Sequence, residues 1–203
     1  ALPNEFWKCF ADLMAPILAA AANEAHAEGR LPGEMREGLI AVLYKKSARD
    51  DPRNYRPITL LNGDYKIIMR VLTRRFNTAI RQLVSDEQNG FVPESFIAEN
   101  TQLLKALKAY VELDQEDTEG ALFLFLDMEK AFDRCSWEFM HEALGDLGFG
   151  DQQNGGAHPF KQWIALAYNE AAPPMRRMQV NRHLSDSFPL KSGVAQGCPL
   201  SPL

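Results

Sequence analysis

Cysteine is scarce in this chain: three residues, Cys9, Cys135 and Cys198, none near another in sequence. An odd, scattered set of thiols argues against a disulfide framework or a cysteine-ligated zinc, and fits a reducing compartment. Long apolar runs are lacking too. The longest, residues 13–22, is half alanine and carries Pro16, short of the ~20 residues a membrane-spanning helix needs. Residues 1–10 contain Glu5 and Lys8 and no apolar stretch of the kind a secretory signal requires. Neither a membrane partner nor a signal peptide is expected. Bases are also outnumbered, 22 Lys plus Arg against 27 Asp plus Glu, for a net charge of −5. That total at first argues against a nucleic-acid partner. What the chain does have is apolar content: 46% hydrophobic and 10% aromatic residues, enough for a real core and too much for wholesale disorder. Its 203 residues allow one domain or two small ones.

The charge is unevenly spread. Residues 30–81 hold twelve bases and five acids, a net of +7, so the remainder carries −12. One stretch could meet phosphates while the rest keeps the molecule soluble. The same bases could also simply decorate solvated faces.

Hydrophobic periodicity predicts an α+β pattern in which helices and strands do not strictly alternate. An Ala-rich helix should run from the Pro3-Asn4-Glu5-Phe6-Trp7 opening to about Glu28, kinked or broken at Pro16, and stopped by Gly29 and Pro32-Gly33. Residues 38–44 are a short apolar run of strand length, followed by a polar loop over 45–54. From Asn62 to about Val84, Tyr65, Ile68, Met69, Leu72, Phe76, Ile80 and Leu83 recur at helical spacing, with bases on much of the opposite face. A turn-rich passage over 85–93 precedes a helix at about 97–113. The acidic connector 114–120 marks the best internal boundary. Residues 121–126 (Ala-Leu-Phe-Leu-Phe-Leu) read as a strand buried on both faces. Helices are expected over 137–147 and 160–171, a flexible loop over 148–159, and strands over 175–180 and 188–190.

Asp127 directly follows the most apolar run. A carboxylate at the end of a buried strand is costly to keep charged without a compensating cation or donors, and magnesium, which takes oxygen ligands, is a natural partner. Capping a turn, or pairing with Lys130, is the alternative. Asp133 stands just before a helix, where its side chain is expected to cap the first free amides. Glu129 faces solvent as readily as it faces a site.

The run Phe123-Leu124-Phe125-Leu126-Asp127-Met128-Glu129-Lys130-Ala131-Phe132-Asp133 resembles the first catalytic motif of reverse transcriptases from non-LTR (LINE-type) retrotransposons. Gly193-Val194-Ala195-Gln196-Gly197-Cys198-Pro199-Leu200-Ser201-Pro202-Leu203 resembles the second palm motif of that family. Arg36-Glu37-Gly38 through Lys45-Lys46, with Asn54-Tyr55-Arg56-Pro57-Ile58-Thr59-Leu60-Leu61, is similar to its fingers signature. Gln88-Asn89-Gly90-Phe91-Val92-Pro93 with Glu99-Asn100 is similar to the passage that follows, and Leu2-Pro3-Asn4-Glu5-Phe6 resembles an upstream extension. The motifs stand in the family's order and cover essentially the whole chain. A group II intron-type enzyme is the nearest rival within polymerases, and the 54–61 signature favours the non-LTR type.

The resemblance implies a right-hand polymerase fold, with fingers at about 1–118 and a partial palm at 119–203. It implies attack of a primer 3′-hydroxyl on a dNTP, copied from an RNA template, with two Mg²⁺ ions assisting. Asp127 matches the metal-ligating catalytic carboxylate. Phe132 matches the bulky residue under the sugar that excludes a ribose 2′-hydroxyl, a role compatible with a core aromatic. Met128 and Glu129 would present backbone amides near the triphosphate. Arg56 matches the arginine that meets it, where a planar fork suits phosphate oxygens. Lys45 and Lys46 are plausible phosphate contacts, with Lys46 preferred, though a lone lysine is commonly a solvated base. Gln196-Gly197 matches the turn that approaches nucleotide and template. For the parent element the resemblance implies a nuclear setting.

There are departures. Glu94-Ser95 stands where the family commonly has Gly-Arg, and Ala195 where an arginine is frequent; both remove positive charge. The family's hairpin with two adjacent aspartates lies beyond the second palm motif, where this sequence ends. The adjacent pair Asp50-Asp51 lacks the apolar flanks of such a hairpin. The expectation is a polymerase fragment inactive by itself; retained RNA binding through the basic segment, or a relic with neither property, are the alternatives.

Overall fold

A computed structural model describes residues 2–113, 121–150 and 156–203. In chain order it contains α1 (Asn4–Cys9), α2 (Ala11–Glu28), α3 (Gly33–Arg36), β1 (Glu37–Tyr44), β2 (Tyr55–Leu61), α4 (Gly63–Asn77), α5 (Ile80–Leu83) and α6 (Ala98–Leu113). These are followed by α7 (Ala131–Arg134), α8 (Trp137–Leu144), α9 (Pro159–Ala167), β3 (Met175–Val180), β4 (His183–Leu184) and β5 (Phe188–Pro189). A wide helical turn, Gly145–Phe149, extends α8. The mixed helix-and-sheet composition agrees with the α+β expectation. Two compact units divide the chain: Ala1–Thr73 with Lys130–Pro202, and Arg74–Glu129 with Leu203.

The first unit is organised by a sheet in the order β2-β1-β3-β4, with β5 also on β3. The antiparallel β1–β2 hairpin keeps register from Gly38↔Leu61 to Tyr44↔Tyr55, while β3 lies parallel to β1 from Glu37↔Met175 to Ala41↔Gln179. Period-two alternation turns Ile40, Thr59 and Leu61 inward and leaves Leu43, Arg56 and Leu60 exposed. Helix α4 buries the stripe that its spacing predicts, in one core with Leu61 of β2: Tyr65, Ile68, Met69 and Leu72 are buried, Met69 completely. Leu31, Trp137, Ile164 and Cys198 complete this core. Burying each large aliphatic side chain contributes about 1.5–3 kcal/mol.

Within the second unit, Phe76, Ile80 and Val92 are buried. The turn-rich passage is pinned by side chains. Arg81 donates to the Pro93 carbonyl from Nε (3.1 Å) and Nη2 (2.8 Å), Asn89 donates to Asn100 Oδ1, and Asn100 donates to the Glu87 carbonyl at 3.2 Å.

Four local expectations are corrected. Helix α2 runs continuously through Pro16, and the break lies earlier, at Phe10 (φ −111°, ψ 26°). Pro16 removes only the donor that would meet the Asp12 carbonyl, and Asp12 is exposed, so that carbonyl is open to solvent. Helix α9 stops at Ala167, with Tyr168 turning into β-type backbone (φ −134°, ψ 90°). Residues 121–126 form no strand and are exposed, Leu122 and Leu126 at 86% and 85%. A strand buried on both faces needs bonded neighbours. Among the described residues no strand ladder reaches 121–126. Last, α8 is capped by Ser136, whose hydroxyl accepts from Phe139 N–H at 3.3 Å, so Asp133 is not the cap. The acidic connector 114–120 and residues 151–155 of the flexible loop lie outside the described residues.

Candidate functional site

In the first unit the turn at Gln196-Gly197 docks on the edge strand β2. The Thr59 N–H points outward from the sheet and donates to the Gln196 carbonyl at 2.7 Å, closing a backbone group that an open edge would expose. Gly197 adopts φ +138°, and a Cβ there would sit 2.3 Å from the Thr59 carbonyl oxygen. Only glycine permits this approach in this conformation.

The same segment clasps residues 132–137. Val194 N–H donates to the Phe132 carbonyl at 2.7 Å and Gly193 N–H to the Cys135 carbonyl at 2.8 Å. The Trp137 indole returns a bond to the Gly193 carbonyl at 2.8 Å. Gly193 has φ +79°, and an added Cβ would lie 2.7 Å from the Asp133 carbonyl oxygen. Between the two clasps, Gln196 Nε2 donates to Asp133 Oδ1 at 3.2 Å. Phe132 is half-buried, and its carbonyl belongs to the clasp.

Beneath this junction lies a polar cluster without a carboxylate. The Tyr168 hydroxyl accepts from Ala195 N–H (3.3 Å) and lies 3.2 Å from Ser201 Oγ. Tyr65 and Cys198 are buried beside them in the same core. Buried Arg176 donates from Nη1 to the carbonyls of Arg36 (2.9 Å) and Met175 (2.8 Å). Burial pushes the Tyr65 phenol well above its usual value, and the neighbouring thiol adds to this. Burial also raises Tyr168 and lowers Arg176. These groups are structural ties under the turn.

The β1–β2 tip is organised by its own side chains. The Tyr44 hydroxyl donates to the Ser47 carbonyl (2.6 Å), Tyr55 to that of Arg49 (2.8 Å), and Asn54 to that of Ala48 (2.8 Å). The Arg49 guanidinium lies 4.6 Å over the Tyr44 ring. Asp51 accepts from both the backbone and the guanidinium of Arg53, which holds its carboxyl below the usual range. Asp51 is therefore committed to the loop, and the Asp50-Asp51 pair is a feature of this turn. Lys45, Lys46 and Arg56 stand exposed around the tip, open to an anionic ligand.

The sequence-expected residues thus fall into three places. Gln196 and Gly197 meet β2, the strand that carries Arg56, and Phe132 is tied to the same segment through Val194. Lys46 sits at the hairpin tip. Asp127, Met128 and Glu129 lie in the second unit, exposed and outside regular structure. Sequence reasoning missed the Asp133–Gln196 bond and the Trp137–Gly193 clasp. Their partners are 63 and 56 residues apart, and no local spacing signals such pairings.

Residues 43–203 match the family model described as "Reverse transcriptase (RNA-dependent DNA polymerase)". The chain is 30% identical over 98% of its length to the "Transposon TX1 uncharacterized 149 kDa protein" of Xenopus laevis, covering 14% of that protein. It is 28% identical over 85% of its length to the "Probable RNA-directed DNA polymerase from transposon BS" of Drosophila melanogaster, covering 18% of it. It is also 24% identical over 86% of its length to a Pol polyprotein from the type-1 retrotransposable element R2 of Nasonia vitripennis, covering 16% of it. The chain spans less than a fifth of each of these relatives.

Proposed function

Because this chain belongs to the reverse transcriptase family, with retrotransposon relatives of the non-LTR type, we propose that it is the fingers and partial palm, at about 1–118 and 119–203, of a retrotransposon's RNA-directed DNA polymerase. One observation carries this reading. The 193–197 segment bonds the Phe132 carbonyl through Val194 and the Thr59 N–H of β2, the strand of Arg56, through Gln196, all within a single unit, so motifs scattered along the sequence share one support. Its ligands are an RNA template with a DNA primer and a dNTP. Arg56 and Lys46 engage the triphosphate, Met128 and Glu129 offer it backbone amides, Phe132 discriminates against a 2′-hydroxyl, and Gln196-Gly197 lie along nucleotide and template. No helix among the described residues is long and apolar enough to cross a membrane.

The reaction joins the primer 3′-oxygen to the α-phosphorus of the dNTP and releases pyrophosphate. Two Mg²⁺ ions, if bound, would lower the pKa of the attacking hydroxyl and stabilise the leaving oxygen. Asp127 would supply one of the hard oxygen donors that magnesium takes. Among the described residues no three His, Cys, Asp or Glu side chains come together as a metal site.

The expected result is that the purified chain, given a primed RNA, dNTPs and Mg²⁺, adds no nucleotides in a gel-resolved extension assay. Magnesium-dependent synthesis that disappears with Asp127→Ala would overturn the inactivity of the isolated chain.

A second reading, RNA binding without catalysis, is favoured by the exposure of the basic segment. Arg70, Arg74 and Arg75 of α4 and Arg56 of β2 are all exposed, with Lys66, Arg70 and Arg74 repeating every four residues along the helix.

A further inference from the structure

We propose that Asp133 is a positioning residue that sets the direction in which the Gln196 side chain presents its amide to the substrate; this rests on the reading of Gln196 as a substrate contact. The Gln196 main chain is fixed from three sides. Ala195 N–H is held by the Tyr168 hydroxyl at 3.3 Å, the Gln196 carbonyl by Thr59 N–H at 2.7 Å, and Gly197 abuts the Thr59 carbonyl. What stays free after that is the side chain, a long amide with many rotamers that would otherwise sample several directions. The Asp133 carboxylate removes this freedom through the 3.2 Å bond from Nε2.

The chemistry of the pair also fixes which end of the amide is which. An ionised carboxylate only accepts, so the group facing Asp133 is the NH₂, and the carbonyl Oε1 faces away as an acceptor. Gln196 is thereby tuned to receive a hydrogen bond from a substrate donor, a sugar hydroxyl or an exocyclic base amine. Asp133 is itself well placed to hold it. Its N–H bonds the Lys130 carbonyl at 2.9 Å, its own carbonyl packs against Gly193, and neighbouring Phe132 is tied to Val194 at 2.7 Å. Both partners of the bond are half-buried, which protects it from competition by water.

The test uses the whole chain as wild type, Asp133→Ala, Asp133→Asn, Gln196→Ala and the double variant Asp133→Ala/Gln196→Ala. Two quantities are read. The first is hydrogen exchange of the Gln196 side-chain amide by NMR, which needs no activity. Asp133→Ala should speed it to the rate of a free amide, while Asp133→Asn, whose Oδ1 still accepts, should keep it slow. The second is affinity for a fluorescent primed RNA with dNTP present, by anisotropy. Asp133→Ala and Gln196→Ala should each weaken it about tenfold, the factor one ordinary hydrogen bond is worth. The double variant should be no weaker than either single one, and Asp133→Asn should restore binding to within about twofold of wild type.

Additive losses in the double variant, or unchanged amide exchange in Asp133→Ala, would overturn the proposal. If Gln196→Ala leaves binding intact while exchange responds as expected, Asp133 orients Gln196 but Gln196 does not meet this substrate, and the substrate-directed role is overturned. A wild-type chain that binds no primed RNA fails the functional reading itself, and the exchange measurement still decides whether Asp133 holds the amide.

Discussion

Gly197→Ala is expected to destabilise the first unit by about 4 kcal/mol or more, among the largest effects a single methyl can have. Two costs combine. The backbone at φ +138° lies where a residue with a Cβ pays about 1–3 kcal/mol. The new methyl would also stand 2.3 Å from the Thr59 carbonyl oxygen and 3.3 Å from its carbon. Those atoms belong to the β2 backbone and cannot swing aside as a side chain could. Relief requires the turn to leave the strand, which gives up the Thr59–Gln196 bond and exposes a sheet edge. Gly33→Ala is the internal control: nothing lies within 4 Å of where its methyl would stand and its φ is not positive, so stability should change by no more than about 0.5 kcal/mol. Urea unfolding of the two variants beside wild type checks both, and a Gly197→Ala loss below about 1 kcal/mol would contradict the docking geometry.

The second large effect concerns chemistry. In a longer polymerase polypeptide that carries this segment and extends primers, Asp127→Ala should lower the rate of nucleotide addition by about a thousandfold or more. A catalytic metal stabilises the transition state by several kcal/mol, and each 1.36 kcal/mol is tenfold in rate. Single-turnover incorporation reads the chemical step apart from template binding, and template affinity should change little. Equal loss of affinity and rate would instead point to a folding role for Asp127.

Much of the fold is legible in the sequence, and what is not has a physical reason. The α4 stripe is legible because helical periodicity and burial express the same geometry; Tyr65, Ile68, Met69, Leu72 and Phe76 are all buried. Ile80 is buried too, but from α5, because the helical run breaks at Thr78-Ala79 rather than continuing to about Val84. Strands β1 and β3 are legible as short runs, whereas their parallel pairing is not, since nothing local encodes a neighbour so far along the chain. Residues 121–126 show the limit of composition: the six residues are strand-like, yet a strand exists only where another bonds it. Asp133 shows the same limit at the site. Its place before α8 suggests a cap, but Ser136, one residue before the helix, takes that role and leaves the carboxylate for Gln196. The family motifs identify Gln196 and Gly197, while only the fold shows that they hang on Thr59.

The grip on RNA tests the central claim most directly. Titrating a labelled single-stranded RNA with the chain at several salt concentrations should give a log–log slope of about −0.7 per phosphate contacted. Neutralising Arg56, Arg70, Arg74 and Arg75 together should weaken binding and flatten that slope by roughly 3. Binding that ignores salt, binding that survives the four substitutions unchanged, or no binding at all would contradict an RNA-handling role for the basic segment.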